Sequence, residues 1–319
     1  MINPELQPFL RWWDEKWSVM PPGAPPQARR AIINAISDEM RQPLPPHITQ
    51  EERRVPHGDR TVRVCVFRNT TVRPAPALIF MHGGGFVQGS PETHDAITVG
   101  IADRVGYTVI SVDYSLAPEH RFPVAVRECE AVVHWAFANA AELGIRRDAI
   151  SVGGDSAGGN LAAALTLIFR GTPQALKGQL LIYPVVEFNP TRPSMIENAN
   201  GPIITAAGVP SALTLYCPDP ADQKSPLFAP MLAPDLAGLP TAYVAVAEHD
   251  PLRDEGRAYA DRLRASGVPV ELHAGTGLFH GYLRALTLSG AVRDAFGGMC
   301  DWLGRLTAAG RAAAAAGGD

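Results

Sequence analysis

The chain has 319 residues, 46% of them hydrophobic and 19% charged, and a formal net charge of −4. That composition excludes a disordered chain and is long enough for a sizeable core. The slight negative balance gives no electrostatic basis for binding nucleic acid or an anionic membrane surface. Cys65, Cys129, Cys217 and Cys300 stand too far apart for a C-x-x-C pair or a zinc ligand set. They predict a reduced protein, and with it a cytoplasmic one.

The first residues mix charges with aromatics and lack the apolar run of a signal peptide. No stretch of about 18 apolar residues appears, so no membrane span is expected. Trp12, Trp13 and Trp17 fall at spacings that fit one helical face. A proline-rich run at 21–26 breaks that helix, and a second follows at 27–40 with Ile32, Ile33, Ile36 and Met40 on one side. Residues 1–45 read as the N-terminal part of a cap. Their aromatics either pack on the rest of the protein or cover a pocket.

Strand-like runs follow at 61–67, 77–80, 108–112, 149–152, 179–183, 242–246 and 268–272. Helical stretches fall between most of them, at 93–106, 123–143, 157–170, 254–266 and 289–306. Strands that alternate with helices predict an α/β fold with a mostly parallel central sheet and helices on both faces. The core divides into 46–187 and 239–307. Between them lies 188–238, rich in Pro, Asn and Gly, with one weak helix near 209–216. Insertions at strand C-termini lie over the crevice of an open sheet, so 188–238 is expected to form the cap together with 1–45. The Ala/Gly-rich stretch 308–319 is expected to be a frayed tail.

Gly154-Asp155-Ser156-Ala157-Gly158 matches G-x-S-x-G between a strand and a helix, the setting of a nucleophile elbow. The tight turn needs small neighbours, and the helix N-terminus aims N–H groups at developing negative charge. An ordinary Gly-rich turn is the bland alternative. His82-Gly83-Gly84-Gly85 follows an earlier core strand and reads as an oxyanion-hole loop. Consecutive glycines let backbone donors converge without Cβ clashes. No lysine follows any glycine run as a phosphate loop requires.

In this arrangement the acid and then the base follow the serine. Asp250 stands just past the 242–246 strand, and His280 past the last strand. Glu248 and Asp254 are rivals for the acid, and His249 and His273 for the base. Asp254 reads better as a first-turn helix residue. Phe86, Asp155, Phe188, Val209 and Leu213 are candidate substrate-side residues; each can equally be packing.

Together with Asp113-Tyr114-Ser115-Leu116-Ala117-Pro118-Glu119, Tyr183-Pro184-Val185 and Asp250-Pro251-Leu252-Arg253-Asp254-Glu255-Gly256, these motifs resemble the bacterial hormone-sensitive-lipase-like esterases, family IV of the α/β-hydrolases. The resemblance runs from about residue 50 to the end. It implies a triad of Ser156, Asp250 and His280, and oxyanion donors at the N–H groups of Gly84, Gly85 and Ala157. It implies hydrolysis of short- to medium-chain acyl esters without cofactor or metal. It also implies a homodimer through an edge strand near 242–246. Ser115 departs from the family, which carries arginine there. An amide or formamide hydrolase would use the same triad. A non-catalytic receptor on this fold is the rival of another class, and the presence of His280 speaks against it.

Overall fold

The computed structural model describes residues 1–21 and 23–316, without the side chains of 211, 212 and 308–316. Two helices open the chain, α1 (Gln7–Trp17) and α2 (Pro26–Met40), with proline at N1 or N2 of each. A long hairpin follows, β1 (Ile48–His57) and β2 (Arg60–Asn69). Then come β3 (Ala75–Met81), α3 (Asp95–Val105), β4 (Thr108–Asp113), α4 (Val124–Ala138), α5 (Ala140–Leu143), β5 (Ile145–Asp155) and α6 (Ala157–Phe169). The second half holds β6 (Gly178–Ile182), α7 (Pro193–Glu197), α8 (Gly208–Tyr216), β7 (Thr241–Ala245), α9 (Arg253–Ala265), β8 (Val270–His273) and α10 (Gly290–Ala316).

The eight strands make one sheet in the order β1-β2-β4-β3-β5-β6-β7-β8. The first two pairings are antiparallel and the rest parallel. Each strand expected from the sequence overlaps an observed one. The hairpin partner β1 has no counterpart among them. Its stretch Gln50-Glu51-Glu52-Arg53-Arg54 is polar on both faces, and only its ends, Ile48 and Val55, are buried. A charged edge strand hides from an apolar pattern because its polarity is what protects the edge. One correction concerns 242–246. That strand, β7, pairs with β6 on one side and β8 on the other, so the sheet edge is β8.

Period-two alternation sends side chains to two apolar layers. Val64, Ile79, Val152, Leu181 and Val244 meet α4, α6 and α9 on one face. Phe67, Phe80, Val109, Leu180 and Tyr243 meet α3 and α10 on the other. The two segments expected to form the cap join different layers. Leu6, Phe9, Trp13, Ile33 and Ile36 of the N-terminal helices belong to the α3/α10 face. Met195, Tyr216 and Phe228 of the insertion belong to the opposite one. The tail expected at 308–319 falls where side chains, and residues 317–319 altogether, lie outside the described residues; the helical backbone of α10 reaches Ala316.

Candidate active site

The β5–α6 turn sets the serine. Ser156 has φ +54° and ψ −115°, a left-handed strain that a nucleophile elbow imposes on a non-glycine residue. Its N–H donates to Ile182 O at 2.8 Å, so the turn is pinned to β6. A Cβ on Gly158 would run into the Met81 carbonyl, which is why this position takes glycine. The β3 end and the α6 start can then lie against one another.

Two loops at neighbouring strand ends bring the partners. His249 forms a bridge with Phe279, and its N–H donates to Leu278 O at 2.9 Å. This ties the loop after β7 to the loop after β8. Asp250 and His280, fully and nearly fully buried, meet there. His280 Nδ1 lies 2.8 Å from Asp250 Oδ2, and His280 Nε2 lies 2.9 Å from Ser156 Oγ. An ionised carboxylate can only accept, so Nδ1 carries the ring proton and Nε2 accepts from the seryl hydroxyl. The second Asp250 oxygen accepts the Leu252 N–H at 2.8 Å, which fixes the carboxylate plane.

The rival residues are occupied elsewhere. Glu248 accepts the Gly277 N–H at 2.7 Å. Asp254 accepts the Ser194 N–H at 2.8 Å and pairs with Arg253. His273 ends β8, where burial lowers its pKa.

The glycine loop faces the serine from the end of β3. Gly84 has φ +124°, and a Cβ there would collide with the Gln88 carbonyl. Gly85 and Phe86 continue in the left-handed region, at +61° and +64°. Ala157 is the first residue of α6, so its N–H has no acceptor within the helix. His82 is buried behind the loop, stacked 4.2 Å from the Tyr114 ring, with Nδ1 2.9 Å from Gly83 O. Burial, then the neighbouring His94, lowers it to about 3, so it is a neutral brace.

Asp155, expected on the substrate side, is only 5% exposed and turns its Oδ1 to the Gly83 N–H at 2.8 Å. Phe86 is buried and stacks on Tyr216 at 3.9 Å between ring centroids. Phe188 stacks on Phe228 at 4.5 Å, and Phe122 meets both Tyr216 and Phe228 edge-on. Val209 and Leu213 are half-buried against the same layer. Ser115 gives its N–H and its hydroxyl to the buried Glu128, at 2.6 and 2.7 Å, and this occupies the position where the family has arginine.

Sequence reasoning missed Tyr216 and Phe228, whose single aromatic rings carry no motif. It also missed Glu255, which is buried on α9 and accepts the N–H groups of Val186 and Phe188 at 2.7 and 3.0 Å. This carboxyl group holds the chain just past β6, where the 188–238 segment begins. Among the described residues, no group of three or more His, Cys, Asp or Glu could hold a metal ion. No helix of the described residues is long and apolar enough to cross a membrane.

A mostly parallel sheet with a serine, histidine and aspartate linked across its strand C-termini defines the α/β-hydrolase class. The family model for the alpha/beta hydrolase fold matches residues 78–284. The chain belongs to this family, in its hormone-sensitive-lipase-like branch. It is 39% identical over 261 residues to carboxylesterase NlhH of Mycobacterium tuberculosis, covering 80% of this chain and 82% of that one. It is 43% identical over 207 residues to an arylesterase of Saccharolobus solfataricus, covering 65% and 68%. The hyperthermophilic esterase of the archaeon Pyrobaculum calidifontis superposes with a TM-score of 0.88 at 33% identity, over 96% of this chain and 99% of that one.

Proposed function

We propose that this chain hydrolyses short- to medium-chain carboxylic esters through an acyl-enzyme on Ser156. The observation that carries the reading is the chain Asp250–His280–Ser156, with links of 2.8 and 2.9 Å, beside the Gly84–Gly85 turn. Ser156 Oγ attacks the carbonyl carbon as His280 Nε2 takes its proton, and Asp250 stabilises the imidazolium. The carbonyl oxygen becomes an alkoxide held by the N–H groups of Gly84, Gly85 and Ala157. Collapse breaks the bond to the alcohol, which leaves with the proton from His280. Water, deprotonated by His280, then releases the acid and restores Ser156.

The carboxylesterase and arylesterase relatives support an ester substrate. The four cysteines are buried free thiols, which supports a reducing compartment such as the cytoplasm. A homodimer, in this reading, pairs through the edge strand β8.

The test is an acyl-length series of nitrophenyl esters beside matching anilides, with Ser156→Ala as control. Turnover of short esters that vanishes in a folded Ser156→Ala protein is the expected result. Faster cleavage of the anilides would move the reading to an amide hydrolase. Activity that survives Ser156→Ala would overturn the mechanism.

A further inference from the structure

Arg284 lies four residues past His280, in the 3-10 turn Tyr282–Ala285. Its guanidinium sits 5.4 Å from the centroid of the Trp13 ring, so the N-terminal helix α1 covers it. Arg284, Asp155, His94 and Tyr183 line one small cavity of about 40 Å³, roofed by Ile36 and Met40 of α2. The Asp155 carboxylate and the Tyr183 hydroxyl share that cavity and act on Arg284 across it rather than by direct contact.

Asp155 immediately precedes the nucleophile. Its Oδ1 accepts the Gly83 N–H at 2.8 Å, and its Oδ2 accepts the Tyr183 hydroxyl at 3.5 Å. Gly83 approaches so closely that a Cβ on it would strike the carboxylate. Gly83 leads directly into Gly84 and Gly85. We infer that Arg284 is a positioning residue: its cation, half-buried under the N-terminal helices, acts across the shared cavity on the Asp155 carboxylate, helps keep that carboxylate on the Gly83 N–H, and so keeps the oxyanion loop set against Ser156. The inference rests on the proposed role of Gly84 and Gly85 as oxyanion donors.

A buried carboxylate needs a countercharge. The groups that face Asp155 are His82, His94, Tyr114, Tyr183, Arg284 and the Gly83 N–H. Burial drives its carboxyl up; His94, Arg284 and the Gly83 N–H outweigh this and hold it at about 2. His94 Nε2 lies 3.4 Å from Asp155 Oδ1. Burial lowers the Arg284 pKa, but a guanidinium remains a cation, so Arg284 supplies a countercharge for Asp155.

The test is a double-mutant cycle on the full chain, with Arg284→Met, Asp155→Asn and the pair, assayed on nitrophenyl butyrate. Arg284→Met is expected to lower kcat by about tenfold or more while KM stays within about threefold. Arg284→Lys should restore most of kcat. Added to Asp155→Asn, Arg284→Met should cost less than about twofold. Additive losses, or an Arg284→Met enzyme within about twofold of wild type, overturn the inference. Arg284→Gln closes the cycle if the methionine variant does not fold. The Tm values of the four proteins report the same coupling without turnover. A wild type inert toward esters therefore refutes the proposed function, whereas additive Tm losses refute the Arg284–Asp155 link.

Discussion

Asp250 Oδ2 and His280 Nδ1 stand 2.8 Å apart, although 30 residues separate them in the chain. Asp254, one helical turn beyond Asp250, instead faces Ser194 and Arg253. The two aspartates therefore differ in role. Asp250→Asn should lower kcat by about 10⁴-fold, because an amide in place of the carboxylate favours the wrong imidazole tautomer. Asp254→Asn should cost only a few-fold, through looser packing of the insertion. Steady-state kinetics on the two folded variants decides it, and equal losses would contradict the assignment of Asp250.

Gly84 should not tolerate a side chain. At φ +124° an alanine is strained, and its Cβ meets the Gln88 carbonyl. Gly84→Ala should displace an oxyanion donor and cost about 10²–10³-fold in kcat, with folding retained. The measurement is kcat beside a thermal melt. A fully active variant would remove Gly84 from the hole.

Tyr216 ties the 188–238 segment to the glycine loop after β3 through its stack on Phe86, and it is 1% exposed. Tyr216→Ala should cost about 3 kcal/mol or more in stability, from the lost burial and the cavity left behind. Urea unfolding reads this directly. Tyr216→Phe should retain most of the stability, because the buried Tyr216 hydroxyl has no hydrogen-bond partner among the described residues.

Glu255 gives stability a pH dependence. Burial pushes its pKa up to about 8, against the two backbone N–H groups that favour the ionised form. The folded value lies above the unfolded one, so the folded state holds the proton longer. The stability due to this group is fully present below about pH 4.5 and falls as pH rises toward 8, because the unfolded chain ionises first. Glu255→Gln removes that decline. Its Tm deficit relative to wild type should be smaller at about pH 8 than at about pH 5. A deficit that grows over the same range would contradict the raised pKa.

The motifs of the proposed site were legible in the sequence because they sit in local backbone signals. Gly154 to Gly158 mark a strand-to-helix turn whatever surrounds it, and three glycines after His82 mark a loop of converging donors. Asp250 and His280 were legible by their places just past strand ends. The sheet edge was not, because β1 carries charges on both faces and β7 looks apolar whether or not β8 lies beyond it. The substrate side was read less well. Asp155 looked available beside Ser156, yet its carboxylate is committed to Gly83.

The sequence by itself determined the class of fold, and it set the proposed nucleophile, acid and base, with the glycine loop, in order along the chain. Those follow from short-range rules on φ, side-chain size and strand ends. Only the tertiary structure decided which residues brace that machinery: Glu255 under Val186 and Phe188, Tyr216 on Phe86, Trp13 over Arg284. These contacts join residues far apart in the chain. Their strength comes from burial and the direction of a side chain, and neither leaves a periodic mark on the sequence.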